Sequence, residues 1–323
     1  MRGCSRTIAA GATQSGCGDK AGGCYAERNG YRFAGPGLSY EGLVRMTPNG
    51  ARWTGNVLLV DKHLLDPLRW ERPRRIFTTS VSDPFHERFS NETIAVVYGV
   101  IAASTRHTHQ LLTKRAKRAR EWYGWLKRNA AACNAGRGMS PAAYCFAMLQ
   151  KYVDHDKRGS FSDHERKLLS RADVVESALS ALWPLPNLWL IASTEHQAAA
   201  DDRVPDLLAI PAAVRGLSCE PLIGEIDLRH VQHASEFEVD ALTGHHGVYR
   251  PLAGRGPHID WVIIGAESGP VARPAQDAWF ESIVEQCTAA DVAVFIKQMV
   301  IDGRLWKDAA AFPSHLQRRE FPR

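Results

Sequence analysis

Three cysteines, Cys4, Cys17 and Cys24, fall within the first two dozen residues, with twelve and six residues between them. Five glycines between Gly11 and Gly23 accompany them, and glycine lets a loop wrap closely around an ion or a cluster. Thiolates crowd together only around a cation. Two centres suit three of them: zinc with a further protein ligand or water, or an iron–sulfur cluster with one iron left open. Spacing does not separate the two, although Asp19 is the only carboxylate within the run, which disfavours a closed structural zinc site. The plain alternative is three unconnected thiols in a flexible leader. Seven cysteines make an odd number, and the N-terminus lacks the apolar core of a secretory signal, so disulfides are the poorer explanation and a cytoplasmic location is expected.

A second set of chemistry-bearing residues follows short apolar runs. Ser80, Ser82, Asp83, Thr113, Lys114, Ser193, Glu195, Cys219, Glu220, Glu267, Ser268, Lys297 and Gln298 each stand where such a run ends. A strand needs only a turn former at its end, and a single Ser or Asp there is commonly a helix N-cap. Carboxylates, lysines and hydroxyls at strand after strand ask for more than capping. Opposed charges gathered in one mouth shift each other's titration, as catalytic and binding groups require.

The elements that would position these residues alternate. Seven runs read as strands: "NVLLV" (56–60), "RRIFTTS" (74–80), "HQLLTK" (109–114), "NLWLIAST" (187–194), "AVRGLSCE" (213–220), "DWVIIGAES" (260–268) and "VAVFIKQ" (292–298). Apolar runs of this length suit parallel strands buried on both faces. Amphipathic stretches at 61–70, 91–104, 115–128, 166–182, 198–209 and 277–290 lie between them. Repeated βαβ units predict an α/β fold, a full or partial (β/α) barrel of TIM-like type, whose strand C-termini share one face. Residues 129–165, with extra helical material, and 225–258 lengthen two connections and read as loop insertions into one domain spanning 1–323.

Composition sets the outer bounds. A 323-residue chain with 45% apolar residues buries a substantial core, which argues against disorder. The formal charge of +5 permits a polyanionic partner without requiring one. No run of about 18 apolar residues exists to span a bilayer. The run "KRAKRAR" (114–120), followed by Trp122, Tyr123 and Trp125, has the residue types that track a phosphate backbone and stack a base. The favoured reading is plainer: the tryptophans supply a helix's inner face and the cations its solvated outer face. The histidines of "HHGVYRPLAGRGPH" (245–258) lack carboxylate support and read as solvated loop residues. Cys133, Cys145 and Cys287 read as core or loop thiols, while Cys219, beside Glu220, invites a thiol reagent.

Several of these segments together carry a resemblance. "GCSR" with "GCYAER", "SVSDPFHE" (80–87), "HQLLTKRAKR" (109–118), "LSCEPLIGEID" (217–227), "IIGAESGPVARP" (263–274) and "VFIKQ" resemble, in order, the motifs of a phage-associated family of radical-SAM-like proteins of unknown function. That family is in turn similar to the spore photoproduct lyase branch of the radical S-adenosylmethionine (SAM) superfamily. The cysteine gaps here are wider than the family's, Ala266 stands where the family has glycine, and the family's short strand before the first cysteine is expected to be missing. The resemblance implies a radical SAM-type barrel in which Cys4, Cys17 and Cys24 hold three irons of a [4Fe–4S] cluster, and SAM chelates the fourth. It implies Tyr25, Ser82, Asp83 and Glu195 for cofactor binding, with Lys114 near the SAM carboxylate. Glu220, Glu267 and Lys297 would face the substrate. It further implies an electron donor such as a flavodoxin or ferredoxin, and a nucleic-acid or nucleotide substrate. Two other readings stay open: a zinc-dependent barrel enzyme, and a non-catalytic nucleic-acid-binding protein with a structural metal.

Overall fold

Short strands and longer helices alternate along the chain in a computed structural model that describes residues 3–5, 9–11, 25–38, 40–79, 82–133, 138–156, 159–170, 182–233, 237–246, 256–269 and 272–322. The fold is mixed α/β. Its residues divide into two compact units, Met1–Leu112 with Glu121–Trp189, and Thr113–Arg120 with Leu190–Arg323.

The first unit begins with β1 (Gly3–Ser5), β2 (Ala9–Gly11), α1 (Tyr25–Arg32), the hairpin β3 (Val44–Thr47) and β4 (Gly50–Trp53), and β5 (Val57–Leu59). Two single-turn helices follow, α2 (Asp61–Leu64) and α3 (Asp66–Arg69), and lead to β6 (Arg75–Phe77), α4 (Asn91–Ala103) and β7 (Thr108–Thr113). Helices α5 (Ala116–Ala132), α6 (Pro141–Asp154) and α7 (Asp163–Ser170) precede β8 (Leu188–Ser193). The chain passes between the units within β7, α5 and β8.

Strands β1, β6 and β7 pair in parallel, with Cys4 in register with Ile76 and Ile76 with His109. The edge beside β6 is thus taken by a strand that carries Cys4 itself. The run at 56–60 departs from expectation: β5 pairs antiparallel with β2, Ala9 opposite Leu59. Its Leu58 side chain is exposed, whereas a central parallel strand needs both faces covered.

Helix α4 is buried from Ile94 through Ala102 and is capped by Ser90, whose Oγ accepts from the Thr93 N–H. A helix apolar all round belongs in a core. Residues 129–165 supply its neighbour: α6 buries Ala142, Ala143, Cys145, Phe146, Leu149 and Val153. The two helices approach so closely that a Cβ on Gly99 would lie 2.4 Å from the Cys145 carbonyl oxygen. The helical material that lengthens this connection is thus packed into the core through α6. Beside it sit Phe85, Tyr98 and Trp122, all fully buried, with Tyr98 and Tyr123 hydroxyls 3.0 Å apart.

In the second unit, the rest of β8 is followed by α8 (Gln197–Leu208), β9 (Val214–Cys219), β10 (Val231–His233), β11 (Phe237–Asp240) and β12 (His245–His246). Then come β13 (Trp261–Gly265), α9 (Asp277–Ala289), β14 (Ala293–Ile301) and β15 (Arg304–Trp306). Strands β9, β13 and β14 pair in parallel with Leu217, Val262 and Val294 in register. The outer side of β14 takes antiparallel β15 through a tight turn in which Asp302 and Gly303 both have positive φ, as a two-residue primed hairpin requires. Parallel strands in chain order, ending in a hairpin, are compatible with a partial barrel. Within 225–258, β10, β11 and β12 form a small antiparallel sheet. Among the described residues no helix is long and apolar enough to cross a membrane.

Candidate functional site

In the first unit, Cys4 stands on β1 beside β6, and the chain beyond β6 leads to Ser82 and Asp83. Cys17 and Cys24 lie outside the described residues, as does Ser80; Tyr25 opens α1, and its side chain is also outside them. The exit of β6 is tied down where Thr79 Oγ1 donates to the Leu112 carbonyl at 3.3 Å. Ser82 and Asp83 are both buried. Asp83 Oδ1 accepts from the Phe85 N–H at 3.0 Å, which closes the turn. The Ser82 hydroxyl has no hydrogen-bond partner, and a buried polar atom left unpaired asks for an explanation. Among the described residues no group of three or more His, Cys, Asp or Glu side chains is placed to hold a metal.

In the second unit, the ends of β8, β9 and β13, with Lys114 just past β7 and Lys297 on β14, bring acids and cations onto one rim. Glu195, two residues past β8, is 5% exposed. It ion-pairs with Lys114 Nζ through Oε1, and its Oε2 accepts from Arg203 Nη1 at 2.8 Å. Arg203 reaches back from α8 and also donates to the Ser193 carbonyl at 2.8 Å. Burial alone would raise the Glu195 carboxyl, but Lys114 and Arg203 outweigh it and hold the group below the ordinary carboxylate range.

Glu220 follows β9. Its Oε1 lies 3.1 Å from Lys297 Nζ, and its Oε2 accepts from Ser218 Oγ at 3.4 Å. Gly265 makes room for it: a Cβ there would sit 2.5 Å from Glu220 Oε1. Glu267, past β13, is gripped by Arg273, whose Nε, Nη2 and backbone N–H each donate at 2.8 Å. Hydrogen bonds from that guanidinium, against a smaller opposing effect of burial, hold Glu267 below its usual pKa.

Backbone bonds lace these ends together. Ile223 N–H donates to the Glu195 carbonyl, Leu222 N–H to that of Gly265, and Ala266 N–H to that of Gln298. Gln298 Nε2 returns a bond to the Ala266 carbonyl at 2.6 Å. The structure thus brings Lys114, Glu195, Glu220, Glu267 and Lys297 into one rim. Arg203 and Arg273 are the members that sequence reasoning missed; the one available signal was that Arg273 falls inside the quoted "GPVARP" segment. Arg203 also reaches Asp202, with its Nε 3.8 Å from Oδ2, so the cations of the rim are matched by as many carboxylates. A cavity of about 590 Å³ in the same unit lies at the opposite strand ends, near Val214 and Ala293, the end that barrel folds devote to stability.

Two other sequence candidates resolve differently. Trp122 is fully buried and donates its indole N–H to the Asn91 carbonyl at 3.0 Å, while Trp125 is half-buried and stacks on it. Arg120 pairs with Asp206 at 3.0 Å, and Lys114 with Glu195. From Ala116 onward the run forms α5, with Trp122 packed on its inner face. Cys219 is fully buried with its Sγ 3.3 Å from Thr194 Oγ1, and burial pushes its thiol up to about 12. It is shielded from thiol reagents rather than reactive.

Comparison with curated proteins and with solved structures returned no match. A family model does match, over residues 2–311, and the chain belongs to that family, described as "Protein of unknown function (DUF5131)".

Proposed function

We propose that the protein is a cytoplasmic radical SAM-type enzyme acting on nucleic acid or nucleotides, supplied with electrons by a flavodoxin or ferredoxin. The observation that carries this reading lies in the first unit. Cys4 belongs to β1, which pairs in parallel with β6, and the chain beyond β6 bears the buried, unpartnered Ser82 hydroxyl. A cysteine-bearing strand paired with a strand whose onward chain carries an orphan polar group suits a cluster with a small polar ligand beside it.

In this reading Cys4, Cys17 and Cys24 hold three irons of a [4Fe–4S] cluster. When bound, the cluster and SAM supply radical abstraction of hydrogen, chemistry that the protein orients and shields. Tyr25, Ser82 and Asp83 serve the cofactor's polar groups, the Ser82 hydroxyl being the one with hydrogen bonds to spare. Lys114 serves a carboxylate and Glu195 an amine. Glu220, Glu267 and Lys297 face the substrate. Since Glu195 and Glu267 are held ionised, they accept hydrogen bonds and balance cations at neutral pH and do not donate protons.

Anaerobic reconstitution with iron and sulfide tests the proposal. The expected product is brown and contains iron and sulfide in equal amounts, and Cys17→Ala abolishes the colour. Iron loading that survives Cys17→Ala unchanged, or a colourless protein that takes up only zinc, overturns it.

A further inference from the structure

The cavity of about 590 Å³ at the starts of β9, β13 and β14 belongs to no site described so far. Its volume is that of a small-molecule pocket. Three carboxylates line it from three different elements: Asp260 just before β13, Asp291 in the turn after α9, and Glu320 in the C-terminal tail. Among the described residues of the lining Arg318 is the one guanidinium, and it is already engaged. Its Nη1 lies 3.3 Å from Glu320 Oε1, and its Nη2 donates to Thr288 Oγ1 at 2.7 Å. With His258 neutral, three carboxylates against one guanidinium leave two negative charges in excess, in a chain whose formal charge is +5.

The two acids in excess keep oxygens for a ligand. Asp260 Oδ2 accepts from the Arg215 N–H at 2.7 Å, and its Oδ1 lies 3.5 Å from His258 Nε2. Arg215 itself turns Nε and Nη2 to the Ile210 carbonyl, and His258 turns Nδ1 to that of Gly256. Asp291 is exposed, and among the described residues its carboxylate makes no hydrogen bond or ion pair. It follows the carbonyl end of α9, whose last turn holds no basic residue, and a helix C-terminus favours positive charge. Phe321, 37% exposed, adds an aromatic ring to the lining, and an ammonium group is attracted to such a ring. The acids do not converge: among the described residues no three His, Cys, Asp or Glu side chains are placed to hold a metal ion. Carboxylates spread around a cavity match a cation whose charges are spread along a chain.

We propose that this cavity is a binding site for a small organic polycation of the diamine or polyamine class, held by Asp260, Asp291 and Glu320. The proposal does not rest on the radical-enzyme reading, since the cavity lies at the strand ends opposite the rim. Calorimetric titration of the full chain with spermidine tests it. Binding that weakens with added salt is expected. Asp260→Asn with Asp291→Asn should weaken it about tenfold or more. Both changes spare the fold: asparagine tolerates the positive φ of 54° at position 291, and at position 260 its side-chain carbonyl still accepts from the Arg215 N–H. Asp302→Asn, in the hairpin turn at the far end of β14, is the control and should bind as the wild type does. Circular dichroism confirms that each variant is folded. Four results would each overturn the proposal: no binding by the wild-type chain, binding undiminished in the double variant, an equal loss in Asp302→Asn, or magnesium ion that displaces spermidine at equal concentration.

Discussion

Replacing Glu195 by glutamine keeps the shape of a buried side chain and removes its charge. Lys114 and Arg203 then face each other's field with no carboxylate between them, although Arg203 keeps its bond to the Ser193 carbonyl. Breaking a buried pair by deleting one partner costs about 3–5 kcal/mol. Here the two cations retain 22% and 16% of their side-chain exposure, so water relieves part of the loss, and the lower end, about 3 kcal/mol, is expected. That is roughly two orders of magnitude in the folding equilibrium. Urea unfolding at neutral pH measures it, and Lys114→Met in the Glu195→Gln background should lose less than the sum of the single changes, with a coupling of about 1–3 kcal/mol. The pH dependence has a definite sign. The folded carboxyl titrates below its unfolded value of about 4.3, so its stabilisation is complete above that pH and fades as pH falls through the folded value. The gap between wild type and Glu195→Gln should close in acid. A variant within about 0.5 kcal/mol of wild type at neutral pH, or a gap that widens on acidification, would refute the ion-paired rim.

Two further outcomes are expected. Gly265→Ala forces the Glu220 carboxyl away from the new methyl group and breaks its 3.1 Å contact with Lys297; the fold survives at a cost of about 1 kcal/mol, and the Lys297 ammonium resonance moves to the position it takes in Glu220→Gln. His109 is buried between Ser104 and Thr78, and burial lowers its pKa to about 3. The unfolded chain then binds a proton that the folded one refuses, so this contribution is complete above about pH 6.5 and falls by about 1.4 kcal/mol per pH unit below it; His109→Gln should flatten the acid limb of the stability curve by one proton.

Much of the architecture can be read from local pattern because the strands of a parallel sheet are covered on both faces. "NLWLIAST" and "DWVIIGAES" announce themselves as continuous apolar runs, and β8 and β13 occupy them. "NVLLV" has the same composition and a different fate, since composition alone does not tell which strand will have one face in water. In residues 129–165 the helical character is legible but its burial is not. Whether α6 is an excursion or a core helix depends on the gap that Gly99 leaves for the Cys145 carbonyl, a long-range fit that no local pattern announces. The rim divides along the same line. Its acids follow strands and are visible as polar ends, whereas Arg203 projects from a helix eight residues beyond Glu195 and meets it only because α8 folds back along the sheet.

The partners found only in three dimensions change what the rim is able to do. Isolated carboxylates at a barrel mouth would suggest proton donors with raised pKa. Glu195 and Glu267 have instead been given guanidinium and ammonium partners that hold them ionised. Proton donation at neutral pH is thereby removed from both, and charge recognition is what remains. Each of the three carboxylates already holds a cation, so a charged group that enters the rim, of either sign, has to displace or share a seated partner. Lys297, 55% exposed, is the cation most readily turned from its acid. The Glu220–Lys297 pair is therefore the part of the rim that gives way first, before the more buried Glu195 with its two cations.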